Sequence, residues 1–359
     1  MDRFWRNSWG QQADNPVIAI RRLKAEDHKA MYKDRRDMNA VYITKYGGSD
    51  QLVYGPLPRP EPRSGQVLVR VRAAAVNPRD WIVRDGRYVF KFALPRFPII
   101  LGSDLSGEVV KCGPNASRFR IGDAVFGMQP LAGGMGAYAE YVAIDETALA
   151  GKPPSISHVD AAAVPCAGLT AWQALVNIGG VGQGARVTVC GASGGVGSYA
   201  VQLAKARGAQ VTAVCSAPNA DLARSLGADA VTDYKTIHFT KAVGEQDIVF
   251  DAVGRDSFRT VAPVLARGGH YITTIPGVSS ALASLATGAL RLATLGRRPR
   301  AHLVLVRARG DDLAQIATLM AQGRVKSLID SRYPLAEARA AQERSRSWRS
   351  RGKIVLEIE

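Results

Sequence analysis

The sequence predicts an α/β fold in which a β-rich domain is joined to a doubly wound parallel sheet. From about residue 39 to 156, short β-like runs are separated by Gly and Pro, and from about 157 to 306, strands alternate with helices. The tail then returns to helices and a closing strand. A length of 359 residues with 47% apolar and 22% charged residues is ordinary for a globular chain of two domains.

The first domain is predicted from the runs AVYITKYG, QVLVRVRAAAVN, LSGEVVKCG, DAVFGM and AYAEYVAI. Many short strands with turn signals are typical of a compact barrel-like domain. The final strand, KIVLEIE, can complete its β-structure, so we predict a discontinuous domain of residues 38–156 and 307–359 around a second domain of residues 157–306. Residues 1–37 have no clear apolar face and are predicted to be an N-terminal arm, disordered or wrongly assigned, because Met38 would itself be a sensible start.

The second domain contains the strand–turn–helix stretch VTVCGASGGVGSYAVQLAKARGAQVTAVC. Ala192, Gly194 and Gly197 have the small-x-Gly-x-x-Gly spacing that opens a dinucleotide-binding unit, and the flanking strand and helix supply the required context. Gly194 lets the backbone approach a pyrophosphate, Gly197 lets the helix pack on the sheet, and the helix N-terminus attracts the phosphate charge. The stretch therefore predicts a dinucleotide cofactor.

The end of the next strand indicates which dinucleotide is bound. An NAD site usually has an acid about 20 residues after the turn, to accept from the ribose 2′-hydroxyl. Here Ser216 stands in its place, and Ser216, Asn219 and Arg224 could donate to a 2′-phosphate, so NADPH is the predicted cofactor. The alternative is that Ser216 or Asn219 caps the following helix. Asp221 lies in that helix and is expected to face away.

Charge and composition exclude several classes of protein. The net charge is +16, but the densest basic segments, RRLK, RRPR and RSRSWRSRGK, are well separated, so nucleic acid is not a predicted partner. The most apolar long segment, VSSALASLATGALRLATLG, contains Arg291 and small polar residues, so no membrane span is predicted. The N-terminal segment lacks a secretory apolar run, and the predicted location is the cytoplasm.

Cysteine and histidine spacing argues against disulfides and structural zinc. The four cysteines form no CxxC, and none lies near a histidine at ligand spacing. The five histidines are dispersed. A metal site would need residues from distant parts of the chain to converge, and no metal is predicted.

Taken together, the motifs resemble those of the medium-chain dehydrogenase/reductases, in the zinc-free quinone oxidoreductase branch, and within it most of all the reticulon-interacting mitochondrial NADPH oxidoreductases. The resemblance covers residues 38–359 and implies a GroES-like first domain and a Rossmann second domain. It rests on eight stretches in the family's order: AAAVNPRD (73–80), GSDLSGEVV (102–110), GDAVFG (122–127), PCAGLTAWQAL (165–175), GASGGVG (191–197), LGADAVTDY (226–234), FDAVG (250–254) and RGKIVLEI (351–358).

The resemblance also separates this chain from the zinc enzymes of the family. Asn77 and Ser103 stand at the first two metal-ligand positions, and Cys166 alone matches the third. The implied chemistry is hydride transfer from a nicotinamide to a quinone, an activated alkene or a carbonyl. Such enzymes often have a Tyr two residues after the aspartate of NPxD, but Ile82 is there. Asn77 and Asp80 are the polar candidates in the cleft, with hydrogen bonding to the loop backbone as the alternative, and no general acid is assigned.

The cofactor residues are carried over from the matched motifs. The family uses a Lys for the 2′-phosphate in some members, and Asn219 is the nearest residue here. Tyr234 could instead be a partly buried aromatic at a strand end. The implied contacts are Ser193, Gly194, Gly195, Val196 and Gly197 to the pyrophosphate, Ser216 and Tyr234 to the adenosine ribose phosphate, Thr274 to the nicotinamide end, and backbone near Ser350 and Arg351 closing from the tail.

Two other functions are kept as alternatives: an enoyl-thioester reductase of the same fold, and a non-catalytic NADPH-binding or RNA-binding protein. Residues 81–97 and 278–300 are expected to line the substrate pocket, but they have no pattern that identifies the acceptor. The run HLVLVRA is predicted to form the edge of the parallel sheet, with Leu303, Val304, Leu305 and Val306 apolar on both faces. A homodimer paired through this edge is predicted, and a monomer with the edge covered by the N-terminal arm is the alternative.

Overall fold

The computed structural model describes residues 37–132, 134–275, 277–294 and 297–359, so the N-terminal arm predicted for residues 1–37 lies outside them except for Asp37. Within these residues the strands form a six-stranded, a seven-stranded and a three-stranded sheet. The strands are β1 (Asp37–Ile43), β2 (Val53–Pro58), β3 (Gln66–Val76), β4 (Ile99–Ile100), β5 (Asp104–Cys112), β6 (Ala124–Met128), β7 (Tyr141–Asp145), β8 (Leu149–Gly151), β9 (Arg186–Cys190), β10 (Gln210–Cys215), β11 (Ala230–Asp233), β12 (Gln246–Asp251), β13 (Leu265–Thr273), β14 (Arg300–Leu303), β15 (Ile329–Pro334) and β16 (Lys353–Glu357).

The helices separate most strands of the second half of the chain, as the alternating sequence pattern predicts. Short 3₁₀ helices occur as well, and one helix continues into a π-helical turn, Gln173–Ile178. None of the described helices is long and apolar enough to cross a membrane. The α-helices are α1 (Pro78–Arg84), α2 (His158–Ala162), α3 (Pro165–Trp172), α4 (Gly195–Ala206), α5 (Ala220–Ser225), α6 (Phe258–Val261), α7 (Val278–Ala293), α8 (Gly310–Ala321) and α9 (Ala338–Arg346).

The six-stranded sheet has the order β11-β10-β9-β12-β13-β14, and every pairing in it is parallel. β9 lies near the middle of this sheet. β10 and β11 follow on one side of it, and β12, β13 and β14 follow on the other, which is the arrangement of a doubly wound Rossmann domain. The predicted fold class is therefore confirmed. The turn after β9 opens at the carboxyl edge of the sheet, where such folds bind nucleotides.

The edge strand was predicted at the wrong place. β14 covers Arg300–Leu303, whereas the prediction was HLVLVRA, residues 302–308. The reason is its partner: β13 ends at Thr273, which pairs with Leu303, so the chain beyond has only one more backbone bond to it, from Val304 N to Thr273 O. Val304 and Val306 are buried in the core, and Leu305 is 47% exposed.

The seven-stranded sheet is mainly antiparallel and contains β3 at its centre. Its order is β15-β16-β3-β5-β6-β8, and β7 pairs with β3 as well. β16 lies antiparallel on β3, so the last strand of the chain joins the β-rich sheet as expected from the sequence. This return brings the residues that precede β16 next to the nucleotide-binding turn.

The hydrophobic core crosses the predicted domain boundary. Leu313 and Ile316 of α8 belong to the same buried cluster as Val187 of β9 and Leu203 of α4, and Phe126 of β6 belongs to it too. A second cluster is centred on β3 and its neighbours. Because the first cluster includes residues from both sides of positions 156 and 306, the boundaries at these positions stay predictions.

Candidate functional site

The turn between β9 and α4 is built around glycines that the backbone requires. Gly191 has a φ of +77°, and Gly194 N donates to Gly191 O at 3.0 Å. A Cβ on Gly197 would lie 2.1 Å from Gly191 O, so only glycine fits where the helix packs on the turn. The first turn of α4 contains no acidic residue. Its free backbone N–H groups therefore form a site suited to a phosphate.

The C-terminal tail lies directly against this turn through Gly352, the residue after the predicted contacts Ser350 and Arg351. Gly352 forms an isolated parallel bridge with Gly194, and Gly352 N donates to Ser193 O at 3.2 Å. Arg351 N donates to the carboxylate of Asp330 at 2.8 Å. The tail is thus held beside the turn by its backbone N–H groups, one bonded to Ser193 O and the other to Asp330.

The end of β10 brings three predicted residues together. The amide nitrogen of Asn219 donates to Ser193 Oγ at 3.0 Å and to Ser216 Oγ at 3.3 Å. Neither Ser216 nor Asn219 caps the helix that follows it with its side chain, so the capping alternative does not hold. Asn219 Oδ1 is buried and has no hydrogen-bond partner among the described residues. These polar groups lie between the turn and the second strand, where the 2′-position of a bound adenosine ribose belongs.

An arginine that was not predicted lies beside Tyr234. The Tyr234 ring is 45% exposed, and the guanidinium carbon of Arg255 lies 5.1 Å from its centroid. Arg224, by contrast, donates to the fully exposed Asp221 at 2.9 Å. Arg255 is thus a cation beside the predicted contact Tyr234; it follows the matched stretch FDAVG, and nothing in the sequence pattern distinguishes it.

The remaining predicted cofactor residue lies at the end of β13. Thr274 is partly exposed, and its backbone N–H donates to Asp251 O at 3.2 Å. The Asp251 carboxylate accepts from the backbone of Val253 and Gly254 at 2.9 and 2.8 Å and so fixes the loop after β12. Thr274 thus lies at the carboxyl edge of the sheet on the same side as the turn.

A buried polar network forms the cleft near Asn77. The amide nitrogen of Asn77 donates to Asp104 Oδ2 at 3.0 Å, and Lys353 Nζ donates to Asn77 Oδ1 at 2.5 Å. Lys353 Nζ also lies 3.8 Å from Asp104 Oδ2. All three side chains are at least nine-tenths buried. Since a buried carboxylate is stable only when it is paired and hydrogen-bonded, Lys353 and Asn77 together stabilise Asp104.

Lys353 links this cleft to the cofactor turn. Its Cδ would lie 3.1 Å from a Cβ on Gly195, the first residue of α4. The sequence reasoning missed Lys353, although it lies within the matched stretch RGKIVLEI. Asn77, Asp104 and Lys353 are far apart in the chain, so only the pairing of β16 with β3 reveals that they meet.

Asp80 lies deeper beside the same cleft. Its Oδ2 accepts from Asn77 N at 2.8 Å and from Tyr138 Oη at 2.7 Å, so the expected alternative, hydrogen bonding to the loop backbone, holds for Asp80. Its Oδ1 is buried without a partner among the described residues. Burial raises the pKa of Asp80 from 3.8 to about 6, although these hydrogen bonds oppose the rise.

The residues at the metal-ligand positions do not fit a catalytic zinc. Asn77 is held by Asp104 and by the Lys353 ammonium, which would repel a second cation. Burial, followed by the charge of Asp104, raises the pKa of the Cys166 thiol to about 12. The part of the chain that the structure describes contains no group of three or more His, Cys, Asp or Glu side chains suited to a metal.

A parallel sheet with a glycine turn for a dinucleotide, linked by a buried lysine to a polar cleft, defines the class of nicotinamide-dependent dehydrogenases and reductases. Comparison with protein-family models agrees with this class. Residues 63–154 match the alcohol dehydrogenase GroES-like domain, and residues 226–356 match the model described as zinc-binding dehydrogenase.

Individual relatives identify the family. The chain is 36% identical over 331 residues to the chloroplastic quinone-oxidoreductase homolog of Spinacia oleracea, covering 89% of this chain and 98% of the relative. It is 31% identical to the mitochondrial NAD(P)H oxidoreductase RTN4IP1 of Homo sapiens, covering 99% and 95%. The solved quinone oxidoreductase from Coxiella burnetii is 30% identical, with a TM-score of 0.79, covering 90% of this chain and all of that one. The chain belongs to the medium-chain dehydrogenase/reductase family, in its quinone oxidoreductase branch, and is an oxidoreductase.

Proposed function

We propose that this oxidoreductase transfers hydride from NADPH to a quinone, an activated alkene or a carbonyl, without zinc. The observation that carries the proposal is Lys353, whose stem lies against Gly195 of the cofactor turn while its ammonium donates to Asn77 in the cleft. One side chain thus spans the distance between the predicted pyrophosphate site and the predicted acceptor site. The named relatives from spinach and human, a quinone-oxidoreductase homolog and an NAD(P)H oxidoreductase, support the same chemistry.

The preference for NADPH is supported by the end of β10. No carboxylate stands at Ser216 to repel a 2′-phosphate, and Asn219, Ser193 and Ser216 form a polar cluster beside it. Arg255 adds a cation within reach of the Tyr234 ring. Charge-assisted hydrogen bonds of this kind are about twice as strong as neutral ones. The residues therefore fit a phosphorylated ribose better than a ribose with a free 2′-hydroxyl.

The bound nicotinamide would supply the hydride, and the protein residues would bind, orient and exclude water. Lys353 and Asn77 present an ammonium and an amide at the cleft and keep Asp104 buried. The backbone of the tail, fixed by Asp330 and Ser193, encloses the turn from the other side. An acceptor that is already activated needs little further polarisation, which is consistent with donor groups that do not fit a metal.

The cofactor preference is tested by titrating the fluorescence of NADPH and NADH with the purified protein. We expect tighter binding of NADPH. Ser216→Asp would bring a negative charge beside the phosphate, and is expected to weaken NADPH binding by about 10- to 150-fold with a much smaller effect on NADH. Ser225→Asp, an exposed serine on α5, adds the same charge and serves as the control. Equal affinities for the two cofactors in the unmodified protein would contradict the proposal.

Turnover and metal content test the rest of the proposal. NADPH oxidation with menadione should continue in the presence of chelators, and elemental analysis should find no stoichiometric zinc. One zinc per chain, lost together with activity, would refute the zinc-free assignment. Absence of turnover with quinones, enones and carbonyls, despite NADPH binding, would favour the non-catalytic alternative.

We further propose a homodimer formed through the edge strand β14. The partly exposed Leu303 and the 47% exposed Leu305 leave apolar surface at this edge.

A cytoplasmic location also stays a proposal, since the named relatives from spinach and human are chloroplastic and mitochondrial proteins.

A further inference from the structure

Arg79, within the stretch NPRD, is a buried cation held by only one of its nitrogens. It is the second residue of α1 and is 8% exposed. Its Nη2 donates to three backbone carbonyls, those of Pro130 at 3.2 Å and of Leu131 and Gly134 at 2.7 Å. This anchor fixes the position of the guanidinium and the course of the loop after β6.

Two other nitrogens of Arg79 make no well-formed hydrogen bond to a described residue. Nε and Nη1 are buried and have no hydrogen-bond partner among the described residues. No carboxylate within the described ranges lies at ion-pair distance from Arg79, but burial raises the pKa of Asp80 and of Asp104, and the nearby charge of Arg79 opposes both rises. Leaving N–H groups of a buried guanidinium without acceptors is unfavourable, since each unmade bond to a charged group costs more than an ordinary one.

Arg79 lies beside Tyr88, a partly buried aromatic residue. Its guanidinium carbon lies 5.2 Å from the centroid of the Tyr88 ring, in the segment 81–97 expected to line the substrate pocket. Tyr88 is itself only partly buried, and its hydroxyl donates to Leu131 O, one of the carbonyls that hold Arg79. The pKa of the Cys166 thiol, raised by burial, is lowered in part by the charges of Lys353 and Arg79, which places both cations near the same group.

We propose that Arg79 binds an anionic group, a carboxylate or a similar oxyanion, carried by the hydride acceptor. The inference rests on the proposed function, in which this cleft receives the acceptor. Arginine is the side chain best suited to oxyanions, because its planar donors match their geometry and it stays charged. Its hydrogen-bond partners are neutral carbonyls, so a bound oxyanion would supply acceptors for the N–H groups that have none. Acceptors with such a group are therefore preferred over neutral ones of the same shape.

The test compares 1,2-naphthoquinone with 1,2-naphthoquinone-4-sulfonate as acceptors. The quantity measured is the ratio of their kcat/KM values, which removes general effects of a variant on turnover. In Arg79→Gln the ratio of sulfonated to neutral quinone should fall by about 10- to 150-fold, and in Arg79→Lys by less, because the charge remains. Arg339→Gln removes an exposed arginine of α9 and should leave the ratio unchanged. An unchanged ratio in Arg79→Gln would overturn the proposal.

Binding measurements separate this proposal from the proposed function and from the cofactor. Calorimetry with naphthalene-2-sulfonate on the NADP⁺-loaded protein needs no turnover, so it tests Arg79 even if neither quinone is reduced. Weaker binding to Arg79→Gln than to the unmodified protein supports the proposal, and equal binding or none to either refutes it. A fall in NADPH affinity in Arg79→Gln, with the sulfonate unaffected, would assign Arg79 to a cofactor phosphate instead. If the Gln variant does not fold, as judged by its melting temperature, Arg79→Lys carries the same comparison.

Discussion

Replacing Asp80 by Asn is expected to change how the stability of the protein depends on pH. Asp80 is completely buried, and burial raises its pKa from 3.8 to about 6. A group whose pKa is higher in the folded than in the unfolded state stabilises the fold fully below its unfolded pKa, and this contribution is lost as the pH rises through the folded pKa. Asp80 therefore favours the folded state in acid and opposes it near neutrality.

The size of the effect follows from the shift in pKa. One unit is worth about 1.4 kcal/mol, so the full contribution of Asp80 is about 3 kcal/mol, of which about 2 kcal/mol is lost between roughly pH 4 and pH 7. In Asp80→Asn the neutral amide oxygen can still accept from Asn77 N and Tyr138 Oη, the two bonds made by the carboxylate. Asp80→Asn therefore keeps both hydrogen bonds and removes the titratable carboxyl group.

The assay is unfolding in urea at several pH values for both proteins. The free energy of unfolding of Asp80→Asn, relative to that of the unmodified protein, should increase by about 2 kcal/mol from roughly pH 4 to pH 7. The other carboxylates titrate in both proteins and cancel in the difference. Asp221→Asn, at a fully exposed carboxylate, is the control for the substitution itself. A difference that stays constant over this range, or decreases with pH, would refute the raised pKa.

Two further predictions concern the turn and the assembly. Gly197→Ala should lower the free energy of unfolding by about 1–3 kcal/mol and abolish tight NADPH binding, because its Cβ would lie 2.1 Å from Gly191 O. In Gly194→Ala the Cβ would lie 3.3 Å from the same oxygen, and Gly194 has a φ of −82°, which any residue can adopt. This variant should fold normally and weaken only cofactor binding. A melting temperature of Gly197→Ala equal to that of the unmodified protein would contradict this reading. Light scattering should give a dimer for the full chain and for a chain that starts at Met38; a monomer in both would exclude the dimer, and a dimer only after truncation would indicate that the arm covers β14.

Local patterns predicted the parts of the site that local geometry determines. The turn after β9, with Gly194 and Gly197, was recognisable because strand, glycine spacing and helix follow one another without interruption. The sequence also shows directly that Ser216, and not an acidic residue, follows the second strand of this unit. The edge strand was misplaced because the apolar run HLVLVRA extends past the end of its partner. Val304 and Val306 are apolar because they enter the core, and beyond Leu303 the only backbone bond to β13 among the described residues is from Val304 N to Thr273 O.

The cleft could not be predicted, because its residues are joined only by tertiary structure. Asn77 was a candidate, but its partners Asp104 and Lys353 come from β5 and β16, which lie on either side of β3. Arg79 lies in the matched stretch AAAVNPRD, but nothing in the sequence pattern distinguishes it as a binding residue. Its unpaired nitrogens appear only when the loop carbonyls that bind Nη2 are known.

Lys353 lies where the turn after β9 meets the polar cluster around Asn77. Its backbone pairs in β16, its stem lies against Gly195, and its ammonium meets Asn77 beside the buried Asp104. Loss of this charge would leave Asp104 buried without an ionic partner, which is far more unfavourable than the pair itself is favourable. Because Gly352, immediately before it, bridges to Gly194, movement of the tail would disturb the turn and the cleft together. The closing strand β16 and the residue before it thus contact both the turn after β9 and the polar cluster around Asn77.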